Sequence, residues 1–197
     1  MPLLRCSVCE CEVFERSVLA VGAECTECEE GEMLEVDADL EEETTAVVNP
    51  EPRPHLALPR EAARKLLGEQ DVRRPPVPVE QLAEAPGLTI VERRTLGSLS
   101  GRLVETTIDV APCSRNRRRF VVAHEIGHHV LRRPHGSGPT VEPEVNAFAG
   151  ELLVPGDMLR AAAKESMDLE ELARRFEVSR QVLEIAARVH RLDDRIR

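Results

Sequence analysis

The sequence predicts an α+β chain in two parts, a small cysteine-bearing β segment and a larger domain whose strands precede its helices. Three observations carry this reading. Two Cys-x-x-Cys pairs punctuate short β-like runs before residue 37. A proline-rich break, Asn49-Pro50-Glu51-Pro52-Arg53-Pro54, follows an acidic stretch and reads as a stiff extended linker. Beyond Asn116 the hydrophobic pattern changes from strand-like to helical, and strands grouped apart from helices indicate α+β rather than alternating layers. The boundaries drawn are 1–48 for the first domain, 49–54 for the linker and 55–197 for the second domain.

The elements follow in order. Leu3–Arg5, Glu12–Glu15 and Met33–Val36 are β-like pieces between cysteines. Arg60–Gly68 reads as a helix closed by glycine, and Val79–Ala85 as a short one closed by Pro86-Gly87. Leu88–Glu92, Leu99–Val104 and Thr106–Val110 are rich in aliphatic and β-branched residues, with Gly97 and Gly101 marking turns or bulges. From Asn116, Val122, Ile126 and Val130 recur every four residues until Pro134. A second helix runs from Pro143 to Leu153, with Val145, Phe148, Ala149, Leu152 and Leu153 as its buried stripe, and Pro155-Gly156 stops it. Leu169–Phe176 and Arg180–Val189 complete the chain as a helical hairpin, 168–190, with Asp168 and Ser179 as N-caps.

Composition narrows the function classes. With 197 residues and 42 % hydrophobic content the chain can bury a core, yet only 2 % is aromatic. The absence of Trp and Tyr removes both a catalytic phenol and a platform for stacking bases. Residues 1–50 hold fourteen acids against two bases, a net of −12, while the remainder holds 24 bases against 22 acids. Such an acidic segment cannot bind nucleic acid by counterion release; it suits a basic protein surface or simple solubility. No run is long and apolar enough for a bilayer, and no N-terminus of signal-peptide type is present, so no membrane partner and a cytoplasmic location are expected.

In a reducing cytoplasm, close cysteine pairs read as metal ligands. Cys6-Ser7-Val8-Cys9 and Cys25-Thr26-Glu27-Cys28 are separated by fifteen residues. That spacing suits a tetrahedral four-thiolate Zn2+ site between two β-knuckles, a zinc ribbon whose metal supplies much of the folding free energy. Cys11 is an alternative to Cys9. The ribbon serves either to recognise a partner or as a staple, and the sequence weighs these equally.

His124-Glu125-Ile126-Gly127-His128 carries the chemistry. Histidines four apart share one helix face, so both imidazoles reach one ion. A catalytic Zn2+ takes three protein ligands and keeps one position for water, whose proton the neighbouring Glu125 can accept. The third ligand is expected from 142–149. Glu144, in the first turn of the following helix, is the choice; Glu142, near the N-cap, is the alternative. His129 points elsewhere on the helix and His135 is the weaker candidate. With no tyrosine, an arginine, His135, His190 or the zinc itself is left to stabilise an oxyanion.

Arg118-Arg119-Phe120-Val121-Val122-Ala123 leading into His124–His128, then Glu144-Val145-Asn146-Ala147-Phe148-Ala149-Gly150-Glu151-Leu152-Leu153-Val154-Pro155, resembles the ImmA/IrrE family of bacterial metallopeptidases. Pro78–Ala83 and Leu172–Ser179 match as well, so the resemblance spans about residues 60–192. It implies a small antiparallel sheet with helices, and a protein substrate that is a DNA-binding, helix-turn-helix repressor whose cleavage relieves repression after stress. Val145 departs from the family's pattern, and Phe148 from that of the wider class with a glutamate third ligand. Phe148 stands where an acid often steadies a zinc histidine, which leaves Asn146, Glu151 or a backbone carbonyl to orient the imidazoles.

The arginines at 115, 117, 118, 119, 132 and 133 read first as a solvated surface and second as a dock for an acidic partner. Residues 168–190 also resemble a helix-turn-helix, with Arg180, Gln181, Glu184 and Arg188 on the outer face. Glu177 stands where such turns favour glycine, and the face is weakly basic, so packing on the peptidase is favoured over direct DNA binding. The sequence therefore predicts a zinc endopeptidase with His124, His128 and Glu144 as ligands and Glu125 as base. Its rival is a non-catalytic zinc-ribbon regulator that keeps the peptidase fold as a scaffold.

Overall fold

The computed structural model describes residues 3–6, 12–14, 33–36, 53–97 and 99–196. The chain divides into two compact units, Met1–Pro50 and Glu51–Arg197. In the first, β1 (Leu3–Cys6), β2 (Glu12–Phe14) and β3 (Met33–Val36) form an antiparallel sheet in the order β2-β1-β3. Leu3 of the central strand pairs with Phe14 on one side and Val36 on the other. Cys6 ends β1, whereas the expected ligands Cys9, Cys25 and Cys28 lie outside the described residues, as does the acidic stretch.

The second unit places helices around a three-stranded sheet. Its elements are α1 (Ala57–Glu69), α2 (Val79–Glu84), β4 (Thr89–Glu92), β5 (Gly101–Val104), β6 (Thr107–Val110), α3 (Arg115–Leu131), α4 (Val141–Leu153), α5 (Gly156–Ala162), α6 (Leu169–Phe176) and α7 (Arg180–Val189). The expected antiparallel sheet is instead mixed. β5 and β6 form a hairpin through a tight turn in which Glu105 adopts a left-handed φ of 53°. The loop 93–100 carries β5 one strand-width beyond β4, so β6 fills the gap and runs parallel to β4, Thr89 pairing with Thr107. Strand direction depended on that loop's reach, which no hydrophobic period encodes. Central β6 is accordingly the buried strand, with Ile108 and Val110 fully enclosed.

α3 lies across this sheet and against α4, and two glycines permit the close packing. A Cβ at Gly101 would stand 2.2 Å from Val121 Cγ1, and one at Gly127 would stand 3.0 Å from both Phe148 Cδ1 and Val145 Cγ1. Val122, Ala123, Ile126, Phe148, Ala149 and Leu152 are fully buried around this contact. α3 begins at Ser114, whose Oγ accepts the Arg117 N–H, and ends at Arg132, which is left-handed at φ 53°. Its end therefore precedes Pro134 by two residues. α5 was not anticipated, because Pro155-Gly156 read as a stop; Pro155 instead sits at the N-cap, just ahead of the first turn.

The C-terminal hairpin packs through Leu172, Phe176 and Leu183. Glu177 takes the left-handed turn conformation (φ 53°) that glycine usually supplies. Its carboxylate meets Arg115 at 2.9 Å and buried Arg119 at 3.5 Å, while Arg119 also donates to the carbonyls of Val77 and Glu177. These bonds tie the hairpin to α3. Among the described residues, no helix is long and apolar enough to cross a membrane.

Candidate metal centre

His124 and His128 project from the same face of α3. The ring of His124 is 15 % exposed and that of His128 is 1 % exposed, and their Nε2 atoms approach to 3.0 Å. Each ring is fixed from behind. His124 Nδ1 lies 3.0 Å from Asn146 Oδ1 on α4, and His128 Nδ1 meets the backbone carbonyl of Arg133. Oxygens of this kind only accept, so each Nδ1 carries the proton and each Nε2 presents a bare lone pair. Two lone pairs aimed at one another repel, whereas a cation between them satisfies both. Their separation is close to the about 3.3 Å expected for two nitrogens held tetrahedrally at zinc distances. Burial holds the His124 pKa below its usual value, against the pull of Glu125, which favours the neutral ring that a metal requires.

Two further side chains close the group. Glu142, at the start of α4, places Oε2 3.2 Å from His124 Nε2 and Oε1 3.7 Å from His128 Nε2. His135, on the turn between α3 and α4, lies 3.1 Å from Glu125 Oε2 through Nε2 and 3.2 Å from Glu142 Oε1 through Nδ1. Burial disfavours the charged form of His135, but Glu125 and Glu142 outweigh it and raise the ring's pKa. One donor atom from each of His124, His128, His135 and Glu142 lies within 4.8 Å of the others, so the group could hold a metal ion. Glu125 is buried beside it and bonds no other described residue than His135.

Glu144, the expected third ligand, is not in this group. Its buried carboxylate accepts the His55 N–H at 3.2 Å and pairs with Arg133 at 3.4 Å. Residues two apart on a helix point about 200° apart, so Glu142 and Glu144 cannot serve the same site equally. The helical period separates the two. Glu142 precedes Asn146 by four residues and shares its face, whereas Glu144 shares its face with the core residue Phe148.

Residues 105–188 match the Peptidase M78 family model, described as the IrrE N-terminal-like domain. Over this stretch, 84 of the 197 residues, the chain resembles the M78 peptidases. A Mycobacterium tuberculosis transcriptional regulator shares the fold with a TM-score of 0.53 at 20 % identity, over 68 % of this chain. The match spans 46 % of that regulator's length. No curated protein matches the chain significantly.

Of the residues named for orienting the imidazoles, Asn146 holds His124 and a backbone carbonyl holds His128. Glu151 lies elsewhere, bonded to Arg64 at 3.2 Å and paired with His190 at 3.1 Å. That pairing also removes His190 from the candidates for oxyanion stabilisation. Cys113 is an exposed free thiol. Arg180 on α7 is engaged by Glu184 at 2.7 Å and Glu170 at 3.3 Å, so it adds little positive charge to the outer face of the hairpin.

Proposed function

We propose that the chain is a zinc-dependent endopeptidase of the IrrE type that cuts a cytoplasmic DNA-binding repressor. The observation that carries this is the convergence of two bare Nε2 atoms and the Glu142 carboxylate beside a buried Glu125. His124, His128 and Glu142 would hold the zinc, in place of the Glu144 set expected from sequence. Zinc bound there supplies a Lewis acid that polarises the peptide carbonyl and makes water acidic enough to attack near neutral pH. Asn146 and the Arg133 carbonyl hold the imidazoles in register. Glu125 accepts the proton of the attacking water at a carboxylate oxygen and returns it to the departing amine nitrogen.

A peptide can reach this base along the sheet. β5 is an edge strand, and an ideal Cβ at its first residue, Gly101, lies 3.5 Å from Glu125 Oε1. An extended segment that adds to that edge by backbone hydrogen bonds would pass beside Glu125. The repressor as substrate rests on the resemblance to the ImmA/IrrE peptidases. Cys6, Cys9, Cys25 and Cys28 would hold a second, structural zinc.

Incubating the zinc-loaded chain with repressors encoded beside it, and reading the products by mass spectrometry, tests this function. One internal cut is expected, abolished by a chelator and restored by zinc. His124→Ala, lacking a ligand, should leave the repressor whole. An intact repressor after prolonged incubation with the zinc-loaded parent supports the non-catalytic regulator instead.

A further inference from the structure

We propose that His135 is a displaceable fourth ligand of this metal centre, so that the resting site is closed and the turn carrying His135 must open before a peptide is cut. The inference rests on the peptidase reading and adds the control of the same site. Four protein donors are the mark of a closed zinc site, whereas a catalytic site keeps one position for water. His124, His128, Glu142 and His135 supply four donors within 4.8 Å of one another.

The bonds of the ring state what it does there. A metal-bound histidine characteristically gives its other N–H to a carboxylate. Nε2 of His135 lies 3.1 Å from Glu125 Oε2, which leaves Nδ1, beside the ligand Glu142, to face the ion. The same hydrogen bond engages Glu125 Oε2, so His135 competes with an attacking water for that oxygen of the base.

The ring is also built to leave. At 43 % exposure it is the most accessible imidazole of the cluster, against 15 % for His124 and 1 % for His128. Those two stand on a helix, whereas His135 stands on a turn followed by Gly136 at φ 71° and Gly138 at φ 152°. Both values favour glycine, and a Cβ at either position would meet nothing within 4 Å. These glycines give the turn beyond His135 a backbone freedom that α3 and α4 lack.

The test uses the full chain loaded with Co2+, whose visible spectrum reports its ligands, and acetohydroxamate as the probe, since that molecule needs an open position. A ring that holds the site about nine-tenths of the time lowers apparent affinity for the probe about tenfold. His135→Ala should bind acetohydroxamate about tenfold more tightly, show an altered cobalt spectrum before the probe is added, and cut peptide faster. In the parent alone, the rate of probe binding should saturate with concentration, because opening precedes binding. That measurement decides the matter even if the variant folds poorly. Equal affinities with superimposable spectra, or a linear rate dependence in the parent, would overturn the closed site and leave the peptidase reading standing. Slower cleavage by a well-folded His135→Ala would also overturn it, by showing that the ring serves the substrate. Failure of the parent to bind Co2+ any better than His124→Ala would overturn the peptidase reading itself.

Discussion

At the scale of single residues, the centre is decided by which way each side chain faces. His124 and His128 were legible because the four-residue period fixes a shared helix face without reference to any other element. Glu142 and Glu144 were not separable in this way, since both occupy the first turn of α4. Their difference appears only when α4 docks on α3 and Asn146 reaches His124. Glu142→Ala should therefore weaken zinc binding by about a hundredfold or more, as expected for loss of a protein ligand. Glu144→Ala should chiefly lower the melting temperature, because it removes the partner of Arg133 and of the His55 N–H and leaves a small void where a buried side chain packed. Titrating both variants with a zinc-competing dye checks this assignment; the reverse order of affinities would restore Glu144 as the ligand. The role of Arg133 was hidden because it acts through its backbone carbonyl, a group that every residue possesses.

At the scale of elements, hydrophobic period located the helices well and said nothing of how strands pair. α6 and α7 match their expected spans, while the parallel β4–β6 pairing arose from the reach of a loop. The contact between sheet and α3 turns on Gly101. Gly101→Ala forces Val121 or the β5 backbone aside, since the new Cβ would fall 2.2 Å from Val121 Cγ1 and 3.2 Å from the Asp109 carbonyl. A loss of about 1–3 kcal/mol is expected, read by urea denaturation. A second element contact is electrostatic. Burial pushes the Glu151 carboxyl up, but His190 on one side, with the Gly156 N–H and Arg64, outweighs it and holds the pKa below the usual value of 4.5. A depressed carboxylate pKa stabilises the fold above the unfolded pKa, and that contribution disappears as pH falls through the lower folded value. The melting temperature should thus fall on acidification below about pH 5. Glu151→Gln should be less stable near neutrality and show a shallower acid limb; an unchanged limb would mean that other carboxylates set it.

At the scale of the whole molecule, the ribbon zinc and the centre on α3 and α4, both proposed above, fall in separate units. A chain of residues 51–197 should fold and hold one zinc, and the full chain should hold two when weighed under native conditions. One zinc in the full chain, with the ribbon thiols open to alkylation, would remove the structural site. Prolines and a change of charge mark the expected junction in the sequence, while the facing of α3 and α4 emerges only from their packing. What unites these scales is the claim that the His124, His128 and Glu142 cluster is a catalytic zinc centre served by Glu125. Glu125→Gln tests it most directly, since it preserves shape, leaves all three ligands in place and removes the proton acceptor. At a zinc content equal to the parent's, repressor cleavage should fall by about a hundredfold or more. Cleavage by Glu125→Gln at the parental rate, with zinc fully bound, would contradict the account.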